Sequence, residues 1–274
     1  MPFGLGTEKR ISMMLDIRQI AFILLPVALN ASGISGHSVI AITAALLFIA
    51  YVCVWRHWQF LHCGVLFLII GFGPKAFSIS FLSQAPAVGI LMMVVTSFLI
   101  VLPFKKARSW SSWAKAGTIT ATASLSIVAI SVISSFALIV WAHWTDHLGI
   151  ALKMANGIQH YPKPLVFLIL IPCFASVNAL MEETVYRGVL QQALSEVFRS
   201  NHLVVFMQAG AFAAFHFAVG FPNGWIGYGL TLIYGSVLGY LRIWTQGLLA
   251  PWLCHLIADL TIFYYMADLA LGKG

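Results

Sequence analysis

The chain has 274 residues, 61% of them hydrophobic and only 8% charged, with a formal net charge of +7. Soluble globular domains run at about 45–50% apolar, so this composition and a mean hydropathy of +0.93 exclude an ordinary soluble domain. The apolar residues fall in continuous runs rather than alternating ones, which excludes a membrane β-barrel and predicts an all-α, polytopic transmembrane helical bundle. The positive charge is read as loops facing anionic lipid headgroups, not as a nucleic-acid surface.

In chain order, Met1 to Arg18 carries Lys9, Arg10 and Arg18 and leads into an apolar run without an Ala-x-Ala cleavage site. The first span is therefore expected to stay attached rather than act as a removable leader. Apolar segments near membrane length follow at about 19–36, 38–55, 58–73, 78–104, 118–143, 164–181, 203–221, 224–241 and 247–267. The first two are separated only by Gly33–Gly36 and the third is short, so the expectation is about eight or nine spans. With nine spans and a cytoplasmic N-terminus, eleven Lys and Arg fall inside and four outside, the bias the positive-inside rule requires. The Lys105–Lys115 loop carries most of it, with Trp110 and Trp113 as interface anchors. Residues 144–163, with Asp146, His147, His160 and Pro162, read as an outer loop.

Cys53, Cys63, Cys173 and Cys254 lie in or beside apolar segments without paired spacing, and read as small buried residues. No internal repeat is visible, which argues against an inverted-repeat transporter. The absence of a targeting segment suits a multi-pass protein of a prokaryotic plasma (inner) membrane.

Charge is scarce, so its placement inside apolar segments is informative. Glu182 and Glu183 follow the apolar run Leu165–Leu180. Intramembrane ionisable groups are functional candidates by default, because each costs roughly 2.5–3.5 kcal/mol on insertion scales. Consecutive residues of a helix point about 100° apart, so the two glutamates have different tasks. Glu183 and Arg187 stand at i, i+4 with the acid first, the favourable ion-pair order. Glu182 is then left as a general base. Downstream, residues 182–200 place Val185, Val189, Leu190, Ala193, Leu194, Val197 and Phe198 on one stripe, with Arg187, Gln191 and Glu196 off it. This stretch is expected to lie against the bundle near the inner interface, with a kink or turn near 182.

Phe212-Ala-Ala-Phe-His216 puts a histidine among alanines that permit close helix approach. His255-Leu-Ile-Ala-Asp259 puts a second histidine and an acid on one helix face. Asp259 could orient His255 as an acceptor, or donate a hydrogen bond if protonated. The bland readings are a charged cluster at a helix end, a hydrogen-bonded core histidine and a polar pair joining two helices. Three such signals within the last hundred residues point instead to one shared site. The two histidines with Glu182 or Asp259 could hold zinc. No His-Glu-x-x-His and no cysteine pair occur, however, so water activation by carboxylate and histidine without a metal or other cofactor is expected.

Glu182-Glu183-x-x-x-Arg187, Phe212-x-x-x-His216 and His255-x-x-x-Asp259, in that order, resemble the CPBP family of CAAX proteases and bacteriocin-processing enzymes, also called the ABI family. Gly188, Gly235, Gly239 and the Leu248-Leu249-Ala-Pro251 run before His255 add to the likeness. The resemblance implies a CPBP-like catalytic membrane domain over 161–274, preceded over 1–160 by transmembrane helices without a family signature. It further implies an intramembrane glutamate-dependent endopeptidase acting on a membrane-associated protein or peptide. Glu182 and His216 would activate water, His255 and Asp259 would serve the oxyanion side, and Glu183 and Arg187 would support them. Asp259 departs from the Asn of the prenyl-protein protease branch, and an ionised Asp would repel an oxyanion. The family also holds non-catalytic immunity and scaffold members; these, a zinc-dependent membrane protease and a transporter are the alternatives.

Overall fold

The computed structural model describes residues 38–54, 56–76, 86–107, 110–145, 157–219 and 221–272. The segment expected at 19–36, Asp146, His147 and the basic residues Lys9, Arg10, Arg18, Arg108, Lys153 and Lys273 lie outside the described residues. Among those described, the regular structure is helical throughout. The main helices are α1 (Ser38–Val54), α2 (Leu61–Ala76), α3 (Pro86–Val101), α4 (Ala121–Trp144), α5 (Lys163–Val197), α6 (Asn201–Val219), α7 (Gly224–Thr245) and α8 (Leu249–Leu271).

Among the described residues, three helices, α4, α5 and α8, are long and apolar enough to cross a membrane. On α4, Leu125, Val132, Ile133 and Phe136 are 63–71% exposed. A row of large aliphatic and aromatic side chains facing outward suits hydrocarbon and not water. The segments expected at 203–221 and 224–241 form α6 and α7, which bury Gln208, His216 and Thr231 on one side and expose Phe206, Ile226 and Ile233 on another. The apolar stretches of α1 and α3 are shorter, Ile42–Val54 and Leu91–Val101. The count of eight or nine spans therefore rests on the sequence alone.

Local chemistry sets the helix ends. Thr120 caps α4 by accepting from the Ala123 N–H at 3.1 Å. Pro162 stands before α5, and a proline also occupies its first turn, where no N–H is required. α7 ends at Gln246 in the left-handed region, φ 57°.

Where a kink or turn is expected near 182, the chain stays helical and becomes π-helical from Thr184. α5 runs through 35 residues, adjusted by two π-helical segments, Val166–Leu170 and Thr184–Leu190. The first lies just ahead of Pro172, which cannot donate to a carbonyl one turn back, and a widened turn relieves the clash there. Heights match because α5 and α6 form an antiparallel hairpin about residues 198–200. Glu182 and His216 each stand seventeen residues from Arg199. The stretch 182–200 thus holds the end of a long helix, largely buried as far as Leu194. Arg187 and Gln191, expected off the buried stripe, are both fully buried. A stripe drawn at 3.6 residues per turn misplaces side chains where the turn is π-helical.

The described basic loops gather at one end of the bundle. Trp58 stacks on Phe104 with ring centroids 6.1 Å apart. A Cβ on Gly188 would meet the Trp113 ring at 2.7 Å. The Thr118 N–H donates to Thr245 O and the Leu248 N–H to Lys115 O, each at 2.8 Å. That crossing needs Gly117, which has φ +84° and whose Cβ would fall 2.4 Å from Thr245 O. At the other end Phe221 meets Trp141 edge to face at 4.6 Å.

Candidate active site

The four helices α5 to α8 alternate in direction and each brings part of one polar cluster to a common level. The cluster is built outward from α5. Glu183 and Arg187 are fully buried and paired, with Nη1 donating to Oε1 at 2.9 Å. The Arg187 guanidinium also lies 4.5 Å from the centre of the Phe212 ring, and its Nη2 is 3.5 Å from Gly235 O. One turn on, Gln191 Nε2 donates to Gly239 O at 3.0 Å. Gln208 Nε2, from α6, donates to Gly235 O at 2.8 Å. Arg187 and Gln191 are four residues apart, as are Gly235 and Gly239, so two parallel helices meet through side-chain donors and bare backbone carbonyls. Glycine permits that approach: a Cβ on Gly239 would lie 2.7 Å from Gln208 Nε2.

His255, on α8, stands between the two glutamates. Its Nδ1 is 2.7 Å from Glu183 Oε1, and its Nε2 is 3.5 Å from Glu182 Oε2. The group that orients His255 is therefore Glu183, the residue expected only to pair with Arg187. Asp259, expected as its orienting partner or as a donor, has Oδ1 3.7 Å from the same Nε2 that faces Glu182. Three carboxyl groups converge on this one ring, and a doubly protonated imidazole would offer a donor to both sides.

His216, from α6, approaches the same oxygen of Glu182, with Nε2 3.9 Å from Oε2. Its Nδ1 lies 3.2 Å from Phe212 O, one turn back. A carbonyl only accepts, so the Nδ1 of the neutral ring carries the proton and Nε2 keeps its lone pair. The Phe212 ring contacts both histidines edge on, with centroids 4.4 Å from His216 and 5.8 Å from His255. Among the described residues, Glu182 Oε2 is buried and makes no hydrogen bond. Two atoms 3.9 Å apart, as Glu182 Oε2 and His216 Nε2 are, can share one water at hydrogen-bond distance, about 2.8 Å.

Burial divides the cluster. The Glu183 and Arg187 side chains are sealed at 0% exposure, whereas Glu182 and His216 retain 9% and Asp259 12%. Beside the cluster, α4, α7 and Ala258 line an apolar groove of about 210 Å³, next to Tyr234, whose ring meets His255 edge on.

The sequence reading missed Asn178. Its Nδ2 is 3.2 Å from Glu182 Oε1 and 3.1 Å from Asp259 Oδ2. A signal is present: Asn178 stands at i, i+4 before Glu182 in an otherwise apolar run, and so shares its helix face. His160, by contrast, is exposed and stands apart from the cluster.

The fold and cluster together are a helical bundle with apolar helices of membrane-spanning length around buried Glu and His side chains. Residues 164–261, which hold every member of the cluster, match the family described as type II CAAX prenyl endopeptidase Rce1-like, in agreement with the CPBP resemblance. That match supports peptidase activity and, with the three apolar helices, an integral membrane protein. Searches of curated proteins and of solved structures each found no match.

Proposed function

We propose that the chain is an intramembrane endopeptidase that hydrolyses a peptide bond of a membrane-associated protein or peptide with water activated by Glu182 and His216. The observation that carries this reading is the buried Oε2 of Glu182, which lies 3.9 Å from the lone-pair nitrogen of His216. Water held between them would lose its proton to Glu182 as it attacks the carbonyl carbon. The Nε2 side of His255 would stabilise the oxyanion, with its ring held by Glu183. Collapse of the tetrahedral intermediate would return the proton to the leaving amine. The apolar groove supports a substrate with a hydrocarbon-like segment beside the scissile bond. On this reading the N-terminus lies in the cytoplasm of a prokaryotic cell, as the bias of Lys and Arg among the loops supports, and the helices of 1–160 complete a bundle of eight or nine spans.

The test is cleavage of a co-expressed library of membrane-tethered peptides, lipidated and unlipidated at a C-terminal cysteine. Wild type is compared with Glu182→Ala. Cuts present in the first and absent in the second support the reading, and identical patterns reject it.

Hydrolysis is expected to need no tightly bound metal. Purified active enzyme should carry well under one equivalent of zinc and keep its turnover in chelator. A zinc protease would hold about one ion per chain through three protein ligands. Stoichiometric zinc whose removal stops turnover would replace the present mechanism.

Asp259 accepts from Asn178 at Oδ2, so its contact there is that of an acceptor. Asp259→Asn should lower activity if the charge supports a protonated His255, and preserve or raise it if Asp259 serves as an oxyanion donor. Asp259→Ala should fall by ~10²–10³ in rate in either case. Full turnover in Asp259→Ala would leave this residue as helix-packing glue.

A further inference from the structure

We propose that Asn178 is a positioning residue of the site, whose amide holds Glu182 and Asp259 together and fixes which oxygen of Glu182 meets water. This rests on the endopeptidase reading above. Asn178 and Glu182 lie four residues apart on α5, and Asp259 comes from α8. One nitrogen, Nδ2, is 3.2 Å from Glu182 Oε1 and 3.1 Å from Asp259 Oδ2. An amide nitrogen carries two N–H groups, one for each carboxyl. Both partners are carboxyl oxygens, so the nitrogen and not the carbonyl oxygen of Asn178 faces them.

The arrangement has three consequences. Glu182 Oε1 is occupied, so Oε2 is the oxygen presented to His216 and His255. The two carboxyl groups are held no more than about 6 Å apart. At that separation in a poorly hydrated site like charges repel strongly, and a dipole with its positive end between them offsets the repulsion. Finally, the contact spans two helices, so it sets the height of Glu182 relative to His255.

A residue that merely joins α5 to α8 would also stabilise the bundle, so stability alone does not test the role. The full-length chain is purified as wild type, Asn178→Ala, Asn178→Asp, Asp259→Asn and the exchange variant Asn178→Asp with Asp259→Asn. Turnover is measured on a quenched-fluorescence version of the best-cut library peptide, with thermal unfolding in the same detergent. Asn178→Ala is expected to lower kcat by up to ~10²-fold, the cost of misplacing a reacting group by about 1 Å, with KM within twofold of wild type. Asn178→Asp, which sets a third carboxyl against the other two, should fall further and melt earlier. The exchange variant restores one amide and one carboxyl to the α5–α8 contact, and should recover at least tenfold in kcat over Asn178→Asp. Wild-type kcat in a folded Asn178→Ala, or an exchange variant no better than Asn178→Asp while Asp259→Asn alone stays active, overturns the positioning role and leaves the endopeptidase reading standing. A wild type that cuts no peptide, and equals Glu182→Ala, removes that reading and this role with it.

Discussion

Glu182→Gln should reduce hydrolysis by ~10²–10⁴-fold, the usual span for a general base, while the purified protein unfolds at the wild-type temperature. Gln has the same length, and its carbonyl oxygen can still accept from Asn178, which binds Glu182 at 3.2 Å. It cannot take a proton from water. The substitution also keeps the Glu183–Arg187 and Glu183–His255 contacts, because these run through a different carboxylate; of the His255 contacts, only the 3.5 Å approach of Nε2 to Glu182 Oε2 loses its charge. Turnover on the library peptide and thermal unfolding are read on one preparation. A folded Glu182→Gln with wild-type turnover would take the base assignment away from this residue. His216→Gln should show the same pattern with KM little changed, since His216 enters through the same water.

Arg187→Ala should be the most damaging substitution to the fold. It strips a fully buried partner from Glu183, a 2.9 Å pair, and leaves a cavity against Phe212, over which the guanidinium lies. Breaking one side of a buried ion pair costs about 3–5 kcal/mol, a large share of the ~5–15 kcal/mol that holds a typical domain. The expected result is a low yield of monodisperse protein and a much lower midpoint in detergent unfolding. Arg187→Lys should fall between, because an ammonium keeps the charge but not the fork that serves Glu183 and Gly235 together. Glu183→Gln should be milder on folding, since its oxygen still accepts from Arg187. It should lower kcat through His255, whose Nδ1 lies 2.7 Å from Glu183. Arg187→Ala as stable as wild type would show that the pair contributes nothing to the fold.

The separate weights of these two glutamates explain why the paired acids are adjacent. On one helix they diverge by about 100°. Glu183 turns into the sealed layer with Arg187 and His255, and Glu182 turns toward the side that keeps some exposure. In the proposed mechanism one position thus carries fold and orientation, and its neighbour is left to meet water.

Residue type and spacing by themselves determined that this chain is helical and membrane-embedded, since 61% apolar residues in continuous runs admit little else. They also singled out Glu182, Glu183, Arg187, His216, His255 and Asp259, because ionisable groups are costly in apolar helices and stand out there. The i, i+4 rule gave the Glu183–Arg187 pair because both partners sit on one helix. Contacts between helices were beyond such rules. That Glu183 and not Asp259 holds His255 depends on how α5 and α8 cross, a long-range packing matter with no local signature. Asn178 was overlooked because its second partner is 81 residues away. Arg187 and Gln191 were placed off the buried face because the period of an α-helix was carried through a π-helical turn. Only the tertiary structure, in which Gly235 and Gly239 bring bare carbonyls within reach of those side chains, turns an apparently polar surface into the buried frame of the site.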